Sequence, residues 1–173
     1  MMARKLAKGV DERIAFVYLA LGSVLGFVSQ LPGLMRQANE PDPDFEAAIL
    51  AEAGSVRPIE ALSVPADITD AKFEALMSAS LFAWVFLLPL LLYALAAMSR
   101  LVLRLFKVKI SGLDARVSLF WAFLAATPLK LLQGLVAGFV GPGPALVGVW
   151  SVWLIVFLFI WISSLSEAAW GVK

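Results

Sequence analysis

Residues 116–165 read RVSLFWAFLAATPLKLLQGLVAGFV, then GPGPA, then LVGVWSVWLIVFLFIWISSL. Two long apolar stretches flank a five-residue Gly/Pro turn. A hydrocarbon core of about 30 Å takes roughly 20 apolar residues in a helix rising about 1.5 Å per residue. Both stretches reach that length. Inside lipid every backbone N–H and C=O must be satisfied within its own segment, so spans of this kind are helical. The stretch predicts a transmembrane hairpin.

Composition extends this reading to the whole chain. Of 173 residues, 61% are hydrophobic and 16% charged, and mean hydropathy is +0.89. An ordinary globular domain is about 45–50% apolar and about 25% charged. There is no Cys and no His. That removes disulfides, thiol nucleophiles, iron–sulfur ligation and the commonest general base and transition-metal ligand. Neither a catalytic site nor a cofactor site is expected.

Working outward, 76–106 is a second apolar stretch with Pro89 at its centre, where a kink is expected. Its helix is predicted to begin near Ile68, with Asp67 or Thr69 as cap. Arg100 and Arg104 stand four apart near its end, so its last two turns are expected to leave the bilayer. With Lys107, Lys109 and Arg116 they bracket the loop 107–115, five bases against Asp114. Such a cluster marks the cytoplasmic side and attracts anionic headgroups at about 1 kcal/mol per base.

The first span is predicted over 14–35, after the basic tail 1–13 with Arg4, Lys5, Lys8 and Arg13. Its apolar run is long for a signal peptide and no A-x-A site follows, so it reads as a retained anchor. Gly22, Gly26, Ser29 and Gly33 fall on one helical face, and Gly134 and Gly138 form a second small-residue pair. Small-xxx-small faces let helices approach closely in lipid. Pro32 and Gly33 are expected to weaken the outer end of this span.

Residues 36–75 hold nine acids against three bases and four prolines. They read as an extracytoplasmic loop with a short amphipathic helix over 45–53. The alternating acids Glu40, Asp42, Asp44 and Glu46 lack the EF-hand glycine and terminal Glu, so the loop is read as solvated and not as a calcium site.

The third span, 116–140, carries Pro128 as another kink site, and Lys130 with Gln133 near one turn apart. An ionisable group inside a span is by default a functional hypothesis. Lys130 lies about 21 Å in from Arg116, close enough to the far face for its stem to snorkel. Snorkelling, a buried partner and an ion path all remain open. After the turn 141–145, the fourth span 146–165 presents Trp150, Trp153, Phe157 and Trp161 as one stripe facing lipid, the core, a partner helix or, at Trp153 and Phe157, a flat ligand. The tail 166–173 returns to the cytoplasm by parity. The expectation is an all-α, polytopic transmembrane bundle of four spans with both termini cytoplasmic.

PLLLYALAAMSRLVLRLF (89–106) followed by RVSLFWAFLAATPLKLLQGLVAGFVGPGPAL (116–146) resembles small Yip1-family membrane proteins of alphaproteobacteria. The likeness covers residues 70–165 and, more loosely, the first span. It implies a bacterial inner-membrane protein without catalytic residues. The family usually has five spans, and four are counted here; its eukaryotic association with Rab-type GTPases is not carried over.

The functional expectation is a non-enzymatic scaffold or accessory subunit, packed against another integral membrane protein or a second copy of itself. Anionic headgroups would lie on its cytoplasmic side. The alternative is a small transporter or channel using Lys130 and Gln133. Its bases flank spans and form no stripe, so no nucleic-acid role is expected.

Overall fold

A computed structural model of the chain describes residues 12–55, 66–105 and 110–170. The basic residues Arg4, Lys5, Lys8, Lys107 and Lys109, and the middle of the acidic loop, lie outside the described residues.

The described chain is helical. Helices α1 (Glu12–Asn39) and α2 (Pro43–Ser55) lead into α3 (Ala66–Phe82), which passes through a π turn (Ala83–Leu87) into α4 (Leu88–Leu105). Helices α5 (Gly112–Ala125) and α6 (Thr127–Phe139) follow, then α7 (Pro144–Trp170). Three helices are long and apolar enough to cross a membrane: α1, Thr69–Leu105 and α7. A fourth span exists if α5 and α6, bent by 42° at their junction, count as one.

The helix ends follow local chemistry. Asp42 starts α2, its carboxylate accepting from the Phe45 N–H at 3.2 Å, with Pro43 at the first position where a missing N–H costs nothing. Ser111 starts α5 in the same way, accepting from Leu113 N–H at 3.2 Å. Gly141, at φ 89°, stops the chain after α6; its N–H bonds to the Val136 carbonyl at 2.9 Å.

The two prolines expected to kink their spans act differently. Pro128 lacks an N–H for the Leu124 carbonyl, and the helix breaks there. Thr127 Oγ1 donates to the Phe123 carbonyl at 3.2 Å, and the N–H groups of Leu129 and Lys130 share the Ala126 carbonyl. Pro89 breaks nothing. The preceding turn widens, so that Leu88 N–H reaches the Ala83 carbonyl five residues back, and Thr69–Leu105 continues as one 37-residue helix. At about 1.5 Å per residue it is about 55 Å long, well beyond a hydrocarbon core.

Four boundaries differ from expectation. The helix predicted to begin near Ile68 begins at Ala66, so Asp67 and Thr69 lie within its first turn and not at its cap. The first helix does not stop near residue 35 and is not interrupted at Pro32, since α1 runs on to Asn39. A proline removes one intrahelical bond, and here packing against Gly138 holds the helix through it. The amphipathic helix is longer than 45–53. The acidic segment, read as a 36–75 loop, is largely helical, with α1 and α3 entering it from both sides.

α1 runs parallel to the α5–α6 pair along its whole length. Glu12 pairs with Arg116, Gly22 abuts Phe123, Ser29 lies under Gly134, Pro32 under Gly138 and Arg36 against Gly141. The α3–α4 helix and α7 run the opposite way: Arg100 meets Gly112, Trp84 meets Gly26, Ser118 Oγ donates to the Ser164 carbonyl, and Lys130 faces Trp153. The centre is α5, whose Val117, Ser118, Leu119, Phe120 and Ala122 are at most 1% exposed. Leu19, Leu92, Ala96 and Phe157 close around it from three helices.

Candidate functional site

Charge is sorted between the two ends of the bundle. Where α1 begins, α4 ends and α5 begins, Arg100, Arg104 and Arg116 gather. At the other end stand Glu40, Asp42, Asp44 and Glu46.

At the basic end a cleft of about 390 Å³ opens between α4 and α5. Tyr93, Ala96 and Ala97 form its apolar floor, and Arg100, Leu101 and Arg104 rise along one wall. Gly112 and Arg116 face them. Arg100 and Arg104 are four apart on α4, which puts both on one face. Arg100 reaches across to α5, its Nη1 3.2 Å from where a Cβ on Gly112 would stand. Arg116 is held three ways: by Glu12, by the Gly112 carbonyl at 3.1 Å from its Nε, and over the Tyr93 ring at 5.9 Å. Among the described residues no carboxylate pairs with Arg100 or Arg104. The cleft therefore has two exposed guanidinium groups, one neutralised guanidinium and an apolar floor. Lys107 and Lys109, expected beside them, lie outside the described residues.

Lys130 sits mid-bundle among three groups. Its ammonium donates to Gln133 Oε1 at 2.8 Å and stands 5.7 Å from the Trp84 ring centre and 5.2 Å from that of Trp153. An ammonium over indole faces is stabilised by the ring quadrupole. The reading as a buried partner fits this geometry better than snorkelling toward the far face.

The aromatic stripe turns inward. Trp153, Phe157 and Trp161 stack in sequence at 5.6 Å and 5.9 Å, with Phe157 buried and both indoles packed on the core around α5. Of the four, Trp150 stays outward, 46% exposed. A lipid or partner face along the whole stripe is corrected to Trp150 alone; α5, lined by small and aromatic residues, draws the other three inward.

The small-residue faces are used within the chain. A Cβ on Gly134 would stand 1.7 Å from the Ser29 carbonyl oxygen, one on Gly138 2.4 Å from Pro32, one on Gly22 2.6 Å from Phe123 and one on Gly26 1.9 Å from Trp84. Ser29 Oγ donates to the Gly26 carbonyl at 2.6 Å, which folds its hydroxyl back onto its own helix.

One site residue escaped the sequence reading. Lys72, 7% exposed, donates to the Glu40 carbonyl at 2.7 Å and stands 3.6 Å from Asp42 Oδ2. It fastens the end of α1 and the start of α2 to α3. One of only three bases among nine acids, it stood out by charge alone. Among the described residues no three acids stand close enough together to hold a metal ion.

No family model, curated protein or solved structure matches this chain.

Proposed function

We propose that the chain is a non-enzymatic, Yip1-like scaffold or accessory subunit of a bacterial inner membrane, crossing it four times with both termini cytoplasmic. The Yip1 likeness rests on residues 89–106 and 116–146. Four crossings are supported by the α1 register: the bent α5–α6 pair accompanies α1 from Glu12 to Arg36, so it passes through the same depth. The sidedness is supported by the positive-inside rule applied to the arginine end.

The observation that carries the scaffold reading is the exposure of α7. Only 6% of its most apolar 18-residue window is buried within the chain, against 33% for α1. Ile155, Phe159 and Ile162 point outward at 61–72% exposure. Opposite the aromatic stripe that packs on α5, this outward face is free for lipid and a second membrane protein. A transport path through Lys130 is less well supported, because its ammonium is already engaged by Gln133 and two indoles.

A photoreactive residue at Phe159 tests the reading in native membranes. A discrete protein adduct, to a partner or a second copy, is expected. Lipid adducts alone, together with a monomeric mass in mild detergent, would overturn it. Proteoliposome flux equal to that of empty vesicles is expected for the wild type.

A further inference from the structure

We propose that the cleft between α4 and α5 binds the phosphodiester headgroup of one anionic phospholipid, with its glycerol and first acyl carbons on the alanine floor. This deepens the scaffold reading and rests on its orientation. The chemistry is that of a divided site. Arg100 and Arg104 present paired donors that match phosphate oxygens, and among the described residues neither has a carboxylate to satisfy it. Below them Ala96 and Ala97 leave room that larger side chains would fill, and Tyr93 closes the floor. The volume of about 390 Å³ falls within the range of about 300–1,000 Å³ typical of ligand clefts. A free inorganic anion would use the rim and leave the apolar floor in water. A lipid fills both.

Arg116 is the positioning residue. Its charge is met by Glu12, and its guanidinium lies over Tyr93, so it fixes the cleft wall and leaves phosphate to the other two.

Native mass spectrometry of the full chain, released from micelles holding equal phosphatidylglycerol and phosphatidylcholine, tests the proposal. The wild type is expected to retain one phosphatidylglycerol in preference to phosphatidylcholine. Arg100→Gln with Arg104→Gln is expected to weaken retention about 25-fold or more, at about 5-fold or more for each charge-assisted hydrogen bond to phosphate that is lost. Both side chains are exposed, so the fold should survive, and an unchanged melting temperature checks this. Ala97→Leu, which changes no charge, is expected to weaken retention as well by filling the floor. Lys107→Gln with Lys109→Gln is expected to change it less than about 5-fold. Equal retention by wild type and the arginine pair variant overturns the site, as does an equal loss from the lysine pair variant, which would mean general surface attraction. Displacement of the lipid by inorganic phosphate would overturn the lipid as occupant. Loss of lipid preference with the Phe159 adduct intact would remove the cleft and leave the scaffold standing; the reverse result would do the opposite.

Discussion

The carbonyl oxygen of Ser29 lies 1.7 Å from the point where a Cβ on Gly134 would stand. α1 and α6 touch backbone to backbone there, and no side-chain rotation can make room for one more carbon. In lipid, where apolar surface gains little by leaving its surroundings, such close approach is the main source of helix association. Gly134→Ala must push the two helices apart. A loss of about 3 kcal/mol in denaturant unfolding is expected, with Gly148→Ala as control because a Cβ there meets nothing within 4 Å. Equal stability of the two variants would contradict the packing.

Lys72 carries the only described ammonium contact to the α1–α2 junction. Lys72→Met leaves the Glu40 carbonyl without its donor and Asp42 without its counter-charge. About 2 kcal/mol of local stability is expected to go. Hydrogen exchange should accelerate at Glu40–Glu46 while α5 stays protected. Uniform acceleration throughout the chain would place Lys72 in the global fold instead.

Lys130 and Gln133 give an asymmetric prediction. Gln133→Leu removes the hydrogen-bond acceptor from an ammonium set between two indoles. Lys130→Met removes the charge and keeps an unbranched chain between the rings. The glutamine variant is expected to lose about 2 kcal/mol and the lysine variant less, because an unpaired polar group costs more than an apolar replacement. The double variant should recover most of the loss. Additive losses measured in a double-mutant cycle would show that the pair does not interact.

Gly141 stands at φ 89°, with the Arg36 guanidinium 2.4 Å from where its Cβ would be. Gly141→Ala therefore meets both an unfavourable backbone and a side chain. A melting-temperature loss corresponding to about 1–2 kcal/mol is expected. Gly143→Ala, with open space around it, should melt close to the wild type.

Much of the architecture is written in periodicity that lipid makes easy to read. The apolar stretches, the Gly/Pro turn and the small residues at Gly22, Gly26, Gly134 and Gly138 each signal a local requirement. The acidic segment was less legible, because α1 continues past Pro32 through contact with Gly138, which is distant in sequence. The different fates of Pro89 and Pro128 were not legible either. Each removes one donor, and whether the helix widens or breaks depends on what packs beside it. The inward turn of Trp153 and Trp161 has the same cause, since a hydrophobic stripe does not say whether lipid or a neighbouring helix will cover it. The arginine cleft was visible as charge and not as shape: Arg116 is taken up by Glu12, over a hundred residues away, while Arg100 and Arg104 are left to the rim.

Crossing number is best measured by labelling, and the natural absence of cysteine makes it direct. Single cysteines at Lys8, Asp44 and Glu167 would be probed with a membrane-impermeant maleimide in intact and permeabilised cells. Four crossings with the basic end inward place Lys8 and Glu167 together on the cytoplasmic face and Asp44 alone outside. Lys8 and Glu167 on opposite faces would mean that α5 and α6 turn back within the membrane, and would contradict the four-span account.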